Sequence, residues 1–85
     1  MTSYEREDLI YIMKMNHFAL QESDSAHLRF SAQLGSRTYE VDIITVENLP
    51  NVTLKRDNSV SFQDTMRSVD DLKIFLDERL YQFLV

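Results

Sequence analysis

HLRFSAQLGSRTYEVDI, residues His27–Ile43, is the stretch that decides the fold. From His27 to Leu34 every second residue is apolar, the pattern of a strand with one buried face. Arg37 to Ile43 alternates in the same way. Between them lies Gly35-Ser36, and glycine first in a two-residue loop suits a type II′ hairpin turn. Such a turn sets Leu34 opposite Arg37. Ala32 then faces Tyr39, Phe30 faces Val41 and Leu28 faces Ile43, all on one side. Gln33 meets Thr38, Ser31 meets Glu40 and Arg29 meets Asp42 on the other, the last as an oppositely charged pair. A slip of one residue would turn the whole apolar set to water, so this register is strongly specified.

Reading outward toward the C-terminus, Ile44 and Val46 fall on the polar side. They predict either a bulge that re-aims the strand end or a cover over that face. Asn48-Leu49-Pro50-Asn51 is expected to stop the strand, because proline cannot donate to a ladder. Val52–Arg56 and Val60–Gln63 read as a second hairpin around Asp57-Asn58-Ser59. A three-residue loop there sets Leu54 opposite Phe62, with Asn58 or Ser59 in the left-handed position.

Toward the N-terminus, Thr2 and Glu5 have capping-box spacing, and Glu5, Glu7 and Asp8 favour a helix start. Leu9, Ile12, Met13 and Asn16 give an incomplete helical stripe, while Leu9, Tyr11, Met13 and Met15 also alternate like a strand; a helix from about Ser3 to Met15 is expected. A short strand from His17 to Gln21 and a turn over Glu22-Ser23-Asp24-Ser25 complete the approach to the central hairpin. Tyr11 and Met15 read as core packing.

The chain ends SVDDLKIFLDERLYQFLV, Ser68–Val85, which reads as one helix capped by Ser68 with Asp71 three residues on. At about 100° per residue, Val69, Leu72, Phe75, Leu76, Leu80, Phe83 and Leu84 share a broad core face. Ile74, Tyr81 and Val85 lie roughly opposite, flanked by Asp70, Asp77 and Glu78. A solvated face has no need of Ile and Tyr at one azimuth, so these six residues are the candidate partner-binding surface: an apolar stripe with an acidic rim. Apolar residues up to the last position also predict that the end is tied down.

Together these segments predict an α+β domain. It has an antiparallel sheet of four to five strands in a meander of hairpins, packed on one face by N-terminal and C-terminal helices. At 85 residues, 1–85 is expected to be a single small domain. With no cysteine, neither disulfides nor thiolate metal sites are available. His17 and His27 are the only histidines, too few to suggest a zinc site. No glycine-rich phosphate loop is possible with Gly35 alone. No nucleophile–base set is recognisable, and the expectation is a protein that is not an enzyme and carries no cofactor.

Fourteen acids against nine bases give a net charge of −5, which argues against gripping phosphate backbones directly. No apolar run approaches the roughly 20 residues of a membrane span, and the acidic N-terminus is unlike a secretory signal. A soluble, cytoplasmic protein is expected. The functional expectation is a small acidic interaction module, a subunit, adaptor or inhibitor, whose partner is another protein or a second copy of itself. The polar sheet face, with Arg29, Ser31, Glu40 and Asp42, is a second candidate surface. The alternative is an acidic nucleic-acid mimic that blocks a DNA- or RNA-binding protein.

Overall fold

A computed structural model describes residues 3–84. In chain order the elements are α1 (Ser3–Met15), β1 (Ala19–Ser23), β2 (His27–Leu34), β3 (Arg37–Val46), β4 (Leu49–Arg56), β5 (Ser59–Thr65) and α2 (Val69–Glu78). A 3-10 turn over Leu80–Phe83 follows. The five strands form one antiparallel sheet in the order β1-β2-β3-β4-β5, a simple meander. The described residues have a radius of gyration of 11.8 Å.

The central hairpin has the register its turn and alternation dictate, from Leu34–Arg37 through Ala32–Tyr39 and Phe30–Val41 to Leu28–Ile43. Gly35 takes φ 64°, which an L-residue resists, and so closes the turn. Leu28, Phe30, Tyr39, Val41 and Ile43 are each no more than 1% exposed and form the sheet's half of the core. Val52 and Leu54 of β4 extend it. Leu9 and Met13 of α1 and Leu72, Phe75 and Leu76 of α2 close it from one side of the sheet. Among the described residues no helix covers the opposite face.

The end of α1 explains why the first strand starts later than its pattern suggests. His17 sits at φ 68°, and the Phe18 N–H donates back to the Met13 carbonyl at 2.9 Å. This is the six-to-one bond of a left-handed helix cap, with Met13 and Phe18 both buried. His17 is spent on the cap, so β1 runs over Ala19–Ser23 rather than His17–Gln21. Tyr11 and Met15 are 65% and 64% exposed, against the expectation of core packing. Leu9 and Met13 are buried and Ile10 and Ile12 pack partly against the core, whereas Tyr11 and Met15 lie outside that stripe.

Pro50 does not stop a strand. Glu47 and Asn48, at φ 52° and 64°, form a two-residue turn, and β4 begins directly at Leu49. Pro50 stands opposite Thr45. The Thr45 N–H donates to the Ala26 carbonyl at 2.8 Å, away from β4. By the alternation of an antiparallel ladder, Thr45–Pro50 is therefore a pair without mutual hydrogen bonds, and the missing proline N–H costs β3 nothing. Ile44 and Val46 meet neither a bulge nor a cover; they stay on the open face, 43% and 52% exposed.

The β4–β5 loop is two residues, not three. Asp57 and Asn58 both take positive φ, 52° and 69°, and Arg56 pairs with Ser59. A register shift between Leu54 and Lys55 then restores the Leu54–Phe62 pair. The apolar pairing survives because a bulge absorbs the residue that the tighter turn leaves over.

Candidate interaction surface

The C-terminal helix starts as its cap requires. Ser68 is extended, and its Oγ accepts the Asp71 N–H at 3.1 Å. Asp70 and Asp71 complement the positive helix end. The helix does not run to residue 85 as the spacing predicts: α2 ends at Glu78, where the Arg79 N–H donates to the Phe75 carbonyl at 2.9 Å. The tighter turn over Leu80–Phe83 has a physical reason. Residues three apart eclipse in a 3-10 turn, so Leu80 and Phe83 reach the core side together. The Tyr39 hydroxyl then donates to the Leu84 carbonyl at 2.8 Å and holds this end against the sheet.

The break falls inside the predicted stripe. Ile74, on α2, is 53% exposed, and Tyr81, on the 3-10 turn, is 60% exposed. They no longer belong to one continuous helix face. Val85 lies outside the described residues. Asp70, Asp77 and Glu78 are exposed, as a rim requires. Asp70 approaches the Lys73 ammonium at 4.0 Å, which is also bonded to Asp8 of α1 at 2.8 Å. That hydrogen bond raises the Lys73 pKa above the usual lysine value, with desolvation opposing it. Lys73 also stands 5.9 Å over the Tyr4 ring, so this side of α2 is occupied with holding α1.

Ile74 instead borders a groove of about 480 Å³ between β5 and α2. Its apolar wall is a trio of phenylalanines. Phe62 stacks on Phe75 with ring centres 5.0 Å apart and planes at 15°. Phe83 lies against both, at 4.9 Å from Phe62 and 5.7 Å from Phe75. Arg67 and Arg79 lie on its rim, and Asp64 and Asp71 also border it. Tyr81 does not border this groove. The spacing on the helix points to Ile74 but not to Phe62 or the arginines. A signal for them exists: Phe62 is paired with core residue Leu54, and the two arginines bracket α2, one before its cap and one at its end.

The open sheet face is a polar network. His27 Nε2 lies 2.9 Å from Asp42 Oδ1, and Lys55 lies 3.9 Å from the same carboxylate. Arg29 stands opposite Asp42 in register, yet its guanidinium pairs with Glu22 of β1. Gln21 donates to Ser31 Oγ at 2.8 Å. Asp24 accepts the Ala26 and His27 N–H groups at 3.0 and 2.8 Å. The Ala26 bond is the main reason its pKa is lowered. Among the described residues no cluster of three or more His, Asp or Glu side chains is placed to hold a metal ion. Nor, among the described residues, is any helix long and apolar enough to cross a membrane. No protein-family model matches the chain, and no curated protein or solved structure matches it either, so the functional reading rests on its own side chains.

Proposed function

We propose that this chain is a small, non-catalytic protein-interaction module, a subunit, adaptor or inhibitor, that binds through the exposed side of α2. The observation that supports this is Ile74, 53% exposed beside a groove walled by three packed phenylalanines. The monomer's own core is closed by Leu72, Phe75 and Leu76 and does not use Ile74. An apolar centre with charged residues around it is the anatomy of a protein interface. Tyr81, exposed past the helix end and outside the groove, is a separate candidate contact, as are the exposed acids Asp70, Asp77 and Glu78. The partner is a protein segment or a second copy of the chain.

A nucleic-acid mimic would present a row of free carboxylates. Four of the fourteen acids, Asp8, Glu22, Asp42 and Asp57, have a basic partner instead, which weighs against that reading. The experiment is a pair of variants, Ile74→Asp and Tyr81→Asp, followed by sedimentation velocity and partner capture. Both variants are expected to keep the wild-type thermal melt, because neither side chain is buried. Ile74→Asp is expected to abolish association. Unchanged sedimentation together with unchanged capture would reject the proposal.

A further inference from the structure

Resting on the interaction-module reading, we propose that the groove takes an extended acidic peptide segment, added as a sixth strand along the free edge of β5. Two independent features point there. The first is charge. The chain carries five more acids than bases, so a basic side chain readily finds a partner. Among the described residues, Lys14, Arg67 and Arg79 are the basic side chains with neither an ion pair nor a hydrogen bond. Two of these three border this one groove. Its two acids, Asp64 and Asp71, form no ion pair with either arginine; Asp64 accepts the Thr65 N–H at 2.8 Å, and Asp71 sits at the N-terminal turn of α2.

The second feature is the strand edge. β5 pairs with β4 on one side and with no other strand. The Met66 N–H donates to the Pro50 carbonyl at 2.8 Å. Alternation along the ladder then makes Val52–Asp64 and Leu54–Phe62 hydrogen-bonded pairs, and turns the backbone groups of Gln63 and Thr65 outward. The Thr65 N–H is taken by Asp64, which leaves the Gln63 N–H and C=O and the Thr65 C=O available to a new strand. The register shift opposite Leu54–Lys55 interrupts the ladder before Phe62, so the regular open stretch is Phe62–Thr65; Phe62, Asp64 and Thr65 border the groove, and Gln63 lies between them on the free edge.

A strand laid there sends alternate side chains toward Ile74 and Phe83, the recognised mode of peptide addition to a sheet edge beside a helix. Arg67 and Arg79 flank α2, whose ten residues span about 15 Å at the helical rise, and about five residues of extended chain cover roughly that length. The bound segment therefore has an aliphatic or aromatic centre with carboxylates on both sides.

The test uses labelled synthetic peptides of about seven residues. One is Glu-Glu-Val-Leu-Val-Glu-Glu, a second has Lys for every Glu, and a third is the acidic peptide N-methylated at its central amides. Binding is read by fluorescence anisotropy and by amide shifts in the intact chain. The acidic peptide is expected to bind and to shift the Gln63 amide. The Arg67→Glu/Arg79→Glu double variant and the N-methylated peptide are each expected to bind at least about tenfold more weakly. No binding of the acidic peptide, equal binding of the Lys peptide, equal binding after N-methylation, or a β5-paired dimer of this chain in sedimentation would each overturn it. If strand addition fails while Ile74→Asp still abolishes association, the interaction module stands with a different occupant. If Ile74→Asp is also silent, both proposals fall.

Discussion

Leu76→Ala and Ile74→Ala separate the two sides of α2 by energy. Leu76 is fully removed from water, whereas Ile74, two residues earlier on the same helix, is 53% exposed. Truncating a fully buried leucine removes its transfer energy and leaves a cavity, a loss of about 2–5 kcal/mol. A chain of 85 residues has a total stability of roughly 4–13 kcal/mol. Leu76→Ala alone therefore removes a large share of it, and the melting temperature falls by roughly 10–30 °C. Ile74→Ala changes stability by no more than about 0.5 kcal/mol, because its side chain is not needed by the core. Urea denaturation at equilibrium measures both, with the slope m as a check that the unfolded state is unchanged. Equal losses for the two variants, or a larger loss at Ile74, would refute the division of the helix into a core side and a free side.

Gly35→Ala forces an L-residue to φ 64° with no atom within 4 Å of its new Cβ, so the loss is backbone strain alone, about 1 kcal/mol by urea denaturation, and Gly35→Asn recovers part of it. Tyr39→Phe removes the hydroxyl that holds the Leu84 carbonyl; it lowers stability by about 0.5–1.5 kcal/mol and speeds amide exchange over Leu80–Leu84 more than in β2 or β3. Asp24 has a lowered pKa, so its contribution to stability is complete above the ordinary value of 3.8 and disappears as pH falls through its lower folded value. Asp24→Asn should flatten the acid limb of the stability–pH curve, and an unchanged limb would contradict this. Lys73 has a raised pKa, so its contribution is complete below the ordinary 10.5 and is lost as pH rises through the higher folded value; Lys73→Met should remove that alkaline loss.

The central hairpin is readable from sequence because two independent signals agree: the Gly35 turn and the period-two alternation each specify the same pairs. The segment that forms α1 is less plainly readable, because Leu9, Tyr11, Met13 and Met15 also alternate like a strand; the acids Glu5, Glu7 and Asp8 at its start favour the helix that forms. Elsewhere a local rule gave way to a tertiary one. Asp57-Asn58 can close a two-residue loop, and the bulge that reconciles it with the Leu54–Phe62 pair leaves no mark in composition. Pro50 is harmless only because of ladder parity, which depends on where the preceding turn falls. The end of α2 is set by Leu80 and Phe83 seeking the core and by Tyr39 holding Leu84 from 45 residues away. Of the candidate surface, Ile74 was legible as an apolar residue out of step with the core face. Its groove was not, because Phe62 and Arg67 come from β5 and the segment after it, which the fold alone brings beside α2.

A photo-reactive amino acid placed at position 74 tests the claim that α2 keeps a second apolar side for a partner, with the same residue at position 44 as control. Ile44 is the same residue type and 43% exposed, against 53% for Ile74, but lies on the open sheet face. Irradiation in the native lysate should give a discrete covalent adduct from position 74 and none from position 44. Adducts from 44 alone, or none from either site, would contradict it.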